Sequence, residues 1–215
     1  MTVANTAVVA LALILSAHAE QRFADFKPLP ANQYPSYQEL QGLGLAVVPM
    51  PDKASQMSYL GADLLAQGFL PVYIAIENRA NPHSAMLVRE AVLYGHGDSE
   101  TMSQNPRALR PGPTKGMDRA ETAARLWGGV PGAVGVVLVL HKLSNITNIR
   151  LNLLEKELRS QTVAPGKTGG GFVFAPVMEG RTRAKDVLLD VPLKDGDSNE
   201  DVHFHFRIDT GAEAK

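Results

Sequence analysis

The sequence predicts a mainly β protein, an immunoglobulin-like β-sandwich of about seven strands with a helical, glycine-rich insertion. Three observations carry this expectation. Short apolar runs recur between Gly- and Pro-containing turns, and apolar and polar side chains alternate along 69–77, 186–193 and 201–208, as half-buried strands require. No internal repeat or low-complexity linker divides the chain. At 215 residues and 45% hydrophobic content, a single domain can bury a sizeable core.

Taken in order, the elements begin with an export signal. An apolar run over 7–15 precedes Ser16 and the small-x-small triplet Ala17-His18-Ala19, so residues 1–19 read as a signal peptide cleaved after Ala19; Met1 to Thr6 depart from the pattern in carrying no Lys or Arg, and an ordinary buried N-terminal helix is the alternative. The run is too short to span a bilayer, which takes about 20 helical residues. Residues 20–42 read as an extended lead-in, because Pro28, Pro30 and Pro35 exclude helix and central strand. The sandwich domain is expected over 43–208, with 209–215 as a tail.

The first strand, 43–48, ends at Pro49 and Pro51. Leu60, Leu64 and Leu65 recur at helical spacing, which predicts a helical turn over 58–66 ended by Gly68 in the left-handed conformation. Along 69–77, Val72, Ile74 and Ile76 alternate with Tyr73, Ala75 and Glu77; 78–82 then reads as a turn, and 84–94 as the hairpin partner. From Gly95 to Gly116 there is no periodicity, which predicts a long loop.

The insertion, about 117–159, opens with a helical stretch near 118–127 and runs into Leu126 to Leu140. That stretch has no charged side chain and includes Gly128, Gly129, Gly132 and Gly135. It reads as a buried glycine-rich connection, with a membrane-contacting segment as the alternative. Ser144 or Asn145 can cap a further helix with Ile146, Ile149, Leu153, Leu154 and Leu158 on one face and Arg150, Asn152, Lys156 and Arg159 towards water. Four strands are expected after it, 161–164, 172–177, 186–193 and 201–208, the first followed by a turn at Pro165-Gly166-Lys167.

Composition removes several functions. The 21 Lys and Arg against 22 Asp and Glu give a net charge of −1, so the chain lacks the positive field that a nucleic-acid partner needs. With no cysteine there is no disulfide, thiolate nucleophile, Cys-ligated zinc or lipobox anchor.

The run Tyr59-Leu60-Gly61-Ala62-Asp63-Leu64-Leu65, followed by Gly68-Phe69-Leu70-Pro71-Val72 and Ile76-Glu77-Asn78-Arg79, resembles a segment of uncharacterised bacterial exported proteins with one immunoglobulin-like β-sandwich domain. Ala164-Pro165-Gly166, then Gly171-Phe172-Val173-Phe174, resembles a second element of that group. The resemblance implies an exported sandwich anchored to, or working beside, a membrane, and it brings no catalytic residue. The missing lipobox cysteine departs from the anchored relatives.

Gly166-Lys167-Thr168 looks like the end of a phosphate-binding loop, but its spacing fails. The first glycine would stand where Gln161 is, and a strand rather than a helix follows. A hairpin turn is expected there. Along 201–208, Asp201, His203, His205 and Arg207 share one face and Val202, Phe204, Phe206 and Ile208 the other. Imidazoles two residues apart on a strand can chelate one metal ion, which makes His203 and His205 the candidate metal ligands. A third ligand must come from His83, His96, His141 or a carboxylate, and Arg207 opposes a cation, so the plainer reading is a solvent-facing polar stripe. Gly95-His96-Gly97-Asp98 reads as a turn with no nucleophile motif nearby. No Gly-x-Ser-x-Gly elbow, His-Glu-x-x-His pair or dinucleotide fingerprint occurs. Asn145-Ile146-Thr147 is a glycosylation sequon, relevant to a eukaryotic secretory pathway.

The expectation is therefore a non-enzymatic exported protein of the periplasm or cell envelope, without catalytic residue or cofactor. It would act as a binding or structural module on a protein partner, with 95–116 as the most exposed surface. Two alternatives accompany it: a membrane-associated protein inserting Leu126 to Leu140 in lipid, and a metal-dependent hydrolase using His203 and His205.

Overall fold

The computed structural model describes residues 23–96, 103–104, 147–179 and 182–211. The expected signal peptide, the stretch 126–140, His141, Gly97, Asp98 and the sequon residues Asn145 and Ile146 lie outside the described residues.

The chain is mainly β. In order, the strands are β1 (Gln38–Leu40), β2 (Leu43–Pro49), β3 (Phe69–Asn78), β4 (Ala85–Leu87), β5 (Leu93–His96), β6 (Ser103–Gln104), β7 (Gln161–Val163), β8 (Thr168–Pro176), β9 (Met178–Glu179), β10 (Thr182–Arg183), β11 (Asp186–Asp195) and β12 (Asp201–Asp209). One antiparallel sheet has the order β1-β2-β3-β8. The other is built on β11, which carries β12 along one side and both β4 and β5 along the other; β7 and β6 pair outside these two. β9 and β10 form a separate ribbon.

The alternation of each strand explains why these sheets meet. Successive side chains leave opposite faces of a strand. β3 therefore points Leu70, Val72, Ile74 and Ile76 inwards, where they join Val187, Leu189, Val191 and Leu193 of β11 and Val202, Phe204, Phe206 and Ile208 of β12 in one core. Burying a side chain of this size contributes roughly 1.5–3 kcal/mol. Two sheets sharing one core are consistent with a β-sandwich.

The outer face of the first sheet is covered by a further layer. Helix α1 (Lys53–Ser55) starts at Asp52, whose carboxylate accepts from the Ser55 amide at 2.8 Å. It passes into a π-helical turn, Gln56–Leu60, closed by Gly61 at φ +81°, a left-handed conformation that glycine adopts without strain. Helix α2, residues 147–156, packs beside it, so that Leu60, Leu64 and Leu153 bury Phe172 and Phe174. The lead-in completes the layer. Phe26 meets the ring edges of Tyr59 and Phe172, and Ala31 fits against Ala46 and Ala75.

Several expectations change in the fold. The segment 84–94 is not the hairpin partner of 69–77: β3 pairs with β2 and β8, whereas β4 and β5 pair with β11 in the other sheet. Alternation fixes the face a side chain takes but not the neighbour of its strand. Here the Asn78 side chain donates to His83 O at 2.8 Å and Val163 O at 3.1 Å, which carries the chain across from sheet to sheet instead of turning it back. A 3-10 turn, Arg89–Ala91, also splits the segment. For the same reason the turn at Gly166-Lys167-Thr168 is not a hairpin: it joins β7 of one sheet to β8 of the other.

The helical turn lies earlier than the leucine spacing suggests, over 53–60, with only a 3-10 turn, Leu65–Gln67, in the later part. Gly68 does take the left-handed conformation, at φ +90°. The turn is anchored by a polar residue that apolar spacing does not register. Buried Gln56 donates to Met50 O at 2.8 Å and accepts from the Leu64 amide at 2.7 Å.

In α2 the predicted faces are partly exchanged. Asn152 turns inwards and Leu154 is exposed, because Asn152 Nδ2 and Lys156 Nζ donate to Tyr59 O, at 2.9 and 2.6 Å, a carbonyl left open at the end of the π-helical turn. The lead-in holds a strand of its own, β1, before residue 43. Within the expected loop 95–116, Gly95 and His96 belong to β5 and Ser103–Gln104 forms β6. At the end of the insertion, Leu158 lies on β8 where a Cβ on Gly171 would stand 2.5 Å from the Leu158 Cα, so only glycine admits the contact.

Candidate binding face

The strand β12 alternates without a fault. Asp201, His203, His205, Arg207 and Asp209 are exposed, and the four residues between them are buried. The register places each exposed residue opposite one on β11: Asp201 by Lys194, His203 by Pro192, His205 by Asp190, Arg207 by Leu188 and Asp209 by Asp186. Residues directly opposite share a sheet face. Met86 of β4 extends that face, since it pairs with Lys194 and is exposed. Its covered counterpart is the outer face of the first sheet, under α1, α2 and the lead-in.

At the centre of this face sits Asp190, only 4% exposed. Its carboxylate lies 3.0 Å from His203 Nδ1 and 3.5 Å from His205 Nδ1, the second distance being long for a hydrogen bond. The two rings are nearly parallel, 14° apart with centroids at 6.0 Å. Arg207 reaches Asp186, Nε to Oδ2 at 3.8 Å. Gln38 of β1 donates to His205 O at 2.8 Å, which ties the free edge of β12 to the first sheet.

The structure brings His203 and His205 together and supplies the neighbour that the sequence left open, the Asp190 carboxylate. It does not bring in His83 or His96, and His141 lies outside the described residues. His83 lies by Asp197 at 3.7 Å, and His96 Nε2 lies 2.8 Å from Pro176 O. Among the described residues no group of three or more His, Asp or Glu side chains is arranged to hold a metal ion. Asp190 could have been found only with the register of β11 on β12, because the run Val187-Leu188-Leu189-Asp190-Val191 reads as an apolar strand with one polar interruption.

Two other features were weighed as sites. A shallow groove of about 480 Å³ lies on the covered side between the lead-in at Pro28–Ala31 and Gly169–Gly170, with Tyr73 and Gln161 in its wall. In the turn between β11 and β12, Asp195 accepts from the amides of Ser198 and Asp197, both at 2.9 Å, and from Asn81 Nδ2 at 2.7 Å. The Ser198 amide and then Asn81 hold its carboxyl down at about 2.

Compared with known proteins, the chain matches no family model, no curated protein and no solved structure.

Proposed function

We propose that the protein is a non-enzymatic exported module of the cell envelope, an immunoglobulin-like sandwich that binds a protein partner through the exposed face of its second sheet. The observation that carries this reading is the contrast between the two outer faces. One is sealed by helices and lead-in, whereas the other presents an uninterrupted polar stripe from Asp201 to Asp209. Strand order supports the immunoglobulin-like assignment. With β1 outside β2 and β6 outside β5, the order β2-β3-β8 in one sheet and β12-β11-β4/β5-β7 in the other parallels the layout of strands A, B, E and G, F, C, C′. The glycine-rich insertion then falls between C and C′.

Export is tested by fractionating a bacterial host that expresses the full chain, with an alkaline wash of the membranes and the intact mass of the product. A soluble periplasmic product with the mass of residues 20–215 is expected. Cytoplasmic protein of full mass would contradict the reading.

A second reading, contact with lipid through 126–140, is favoured by one observation. Leu151 and Leu154, on the helix that follows this stretch, are 59% and 52% exposed. No helix of the described residues is long and apolar enough to cross a membrane. Product of the cleaved mass that resists the alkaline wash would select this reading.

A further inference from the structure

We infer that His203 and His205 form an open binding site for a late first-row divalent cation such as Zn²⁺, with Asp190 as the carboxylate that orients the His203 imidazole from behind and faces that of His205. The inference goes beyond the binding role proposed above and is independent of it.

Asp190 is a buried carboxyl group beside the exposed stripe of β12. A carboxylate removed from water needs a partner, and among the described residues Asp190 has the two imidazoles as ion partners. A carboxylate can only accept, so the hydrogen bond from His203 Nδ1 at 3.0 Å requires the proton to sit on Nδ1. In the neutral form of that ring Nε2 carries the lone pair, and it lies on the side away from Asp190, with 47% of the side chain exposed. His205 presents its Nδ1 to the same carboxylate and is more exposed still, at 71%. A carboxylate behind a histidine, with the far nitrogen free, is the arrangement that fixes the tautomer and raises the basicity of metal-binding imidazoles.

Spacing and charge agree. Two residues along a strand separate side chains by about 6.7 Å, and each imidazole nitrogen binds zinc at about 2.0–2.1 Å, so inward rotation of both rings lets one cation bridge them. The three side chains do not form a closed three-ligand shell. The site is accordingly open, with two protein ligands and the remaining positions for water or a group from a partner. The surrounding face is acidic: Asp186, Asp190, Asp201 and Asp209 stand against Lys194 and Arg207, and Arg207 is drawn to Asp186.

The test is calorimetric titration of the purified full chain, freed of metal by a chelator, with Zn²⁺ alone. One ion per chain is expected. His203→Ala and His205→Ala should each weaken uptake at least tenfold, and Asp190→Asn by about 10–100-fold, the usual effect of removing such a carboxylate. His83→Ala should leave it unchanged. Nitrogen chemical shifts should place zinc on Nε2 in both rings. The double His→Ala variant keeps the core and serves as the control for folding. Absence of uptake, uptake that survives the double variant, or zinc on Nδ1 would each overturn the site; undiminished affinity in Asp190→Asn, with its melting point intact, would overturn the role of Asp190.

Discussion

Asp195 shows how one residue can hold a turn. Its carboxylate accepts from two backbone amides and from Asn81, and these hold its pKa at about 2, below the ordinary carboxylate range. A group whose pKa is lower folded than unfolded adds stability that is present above the unfolded value and lost as pH falls through the folded one. The contribution of Asp195 should therefore fade between about pH 4 and pH 2. Asp195→Asn is expected to lower the melting temperature at pH 7 and to flatten its decline in that acid window, which thermal melts over a pH series would reveal. Equal slopes in both proteins would sink this account of the turn. At this scale β12 was fully legible, because a period of two on an exposed sheet face leaves every odd residue polar. Asp190 was not legible, since its meaning comes from a strand thirteen residues away, and Gln56 was missed because a polar side chain satisfied inside the fold looks like a surface residue in sequence.

Arg89 and Glu157 latch one element to another. The 3-10 turn between β4 and β5 projects Arg89, whose guanidinium pairs with Glu157 where the chain leaves α2, and Ser160 accepts from the Arg89 amide at 3.0 Å. Beside them the buried Tyr94 hydroxyl has its pKa raised, first by desolvation. Arg89→Ala leaves the Glu157 carboxylate without its partner and should cost about 1–3 kcal/mol. Hydrogen exchange should show faster opening of 147–156, while β11 and β12 keep their protection; uniform loss across the chain would mean that α2 is not held separately by this pair. The strands were legible as elements because their apolar runs are short and alternating. Their partners were not: the same pattern over 84–94 fits any antiparallel neighbour, and Asn78, which decides the matter, acts through its side chain on His83 and Val163.

At the scale of the molecule, the two sheets of the described residues share one core, and their outer faces have opposite fates. The lead-in, expected to be a mere approach to the domain, is part of its covering layer, with Phe23 closing on Gly61, Phe26 on Phe172, and Tyr34 accepting from the Leu29 amide at 2.7 Å. Prolines told that this segment is extended, whereas nothing in its pattern told that it lies against a sheet. With one face sealed, the proposed protein partner would act on the exposed face of the second sheet. The most direct measurement is photo-crosslinking in intact cells from a reactive residue placed at Met86 or Asp201 on that face, and at Leu151 on the covering layer. A discrete protein adduct from Met86 and Asp201, absent from Leu151, is the predicted result. Adducts from Leu151 with none from the other two would contradict the account and move the interaction to the covered side.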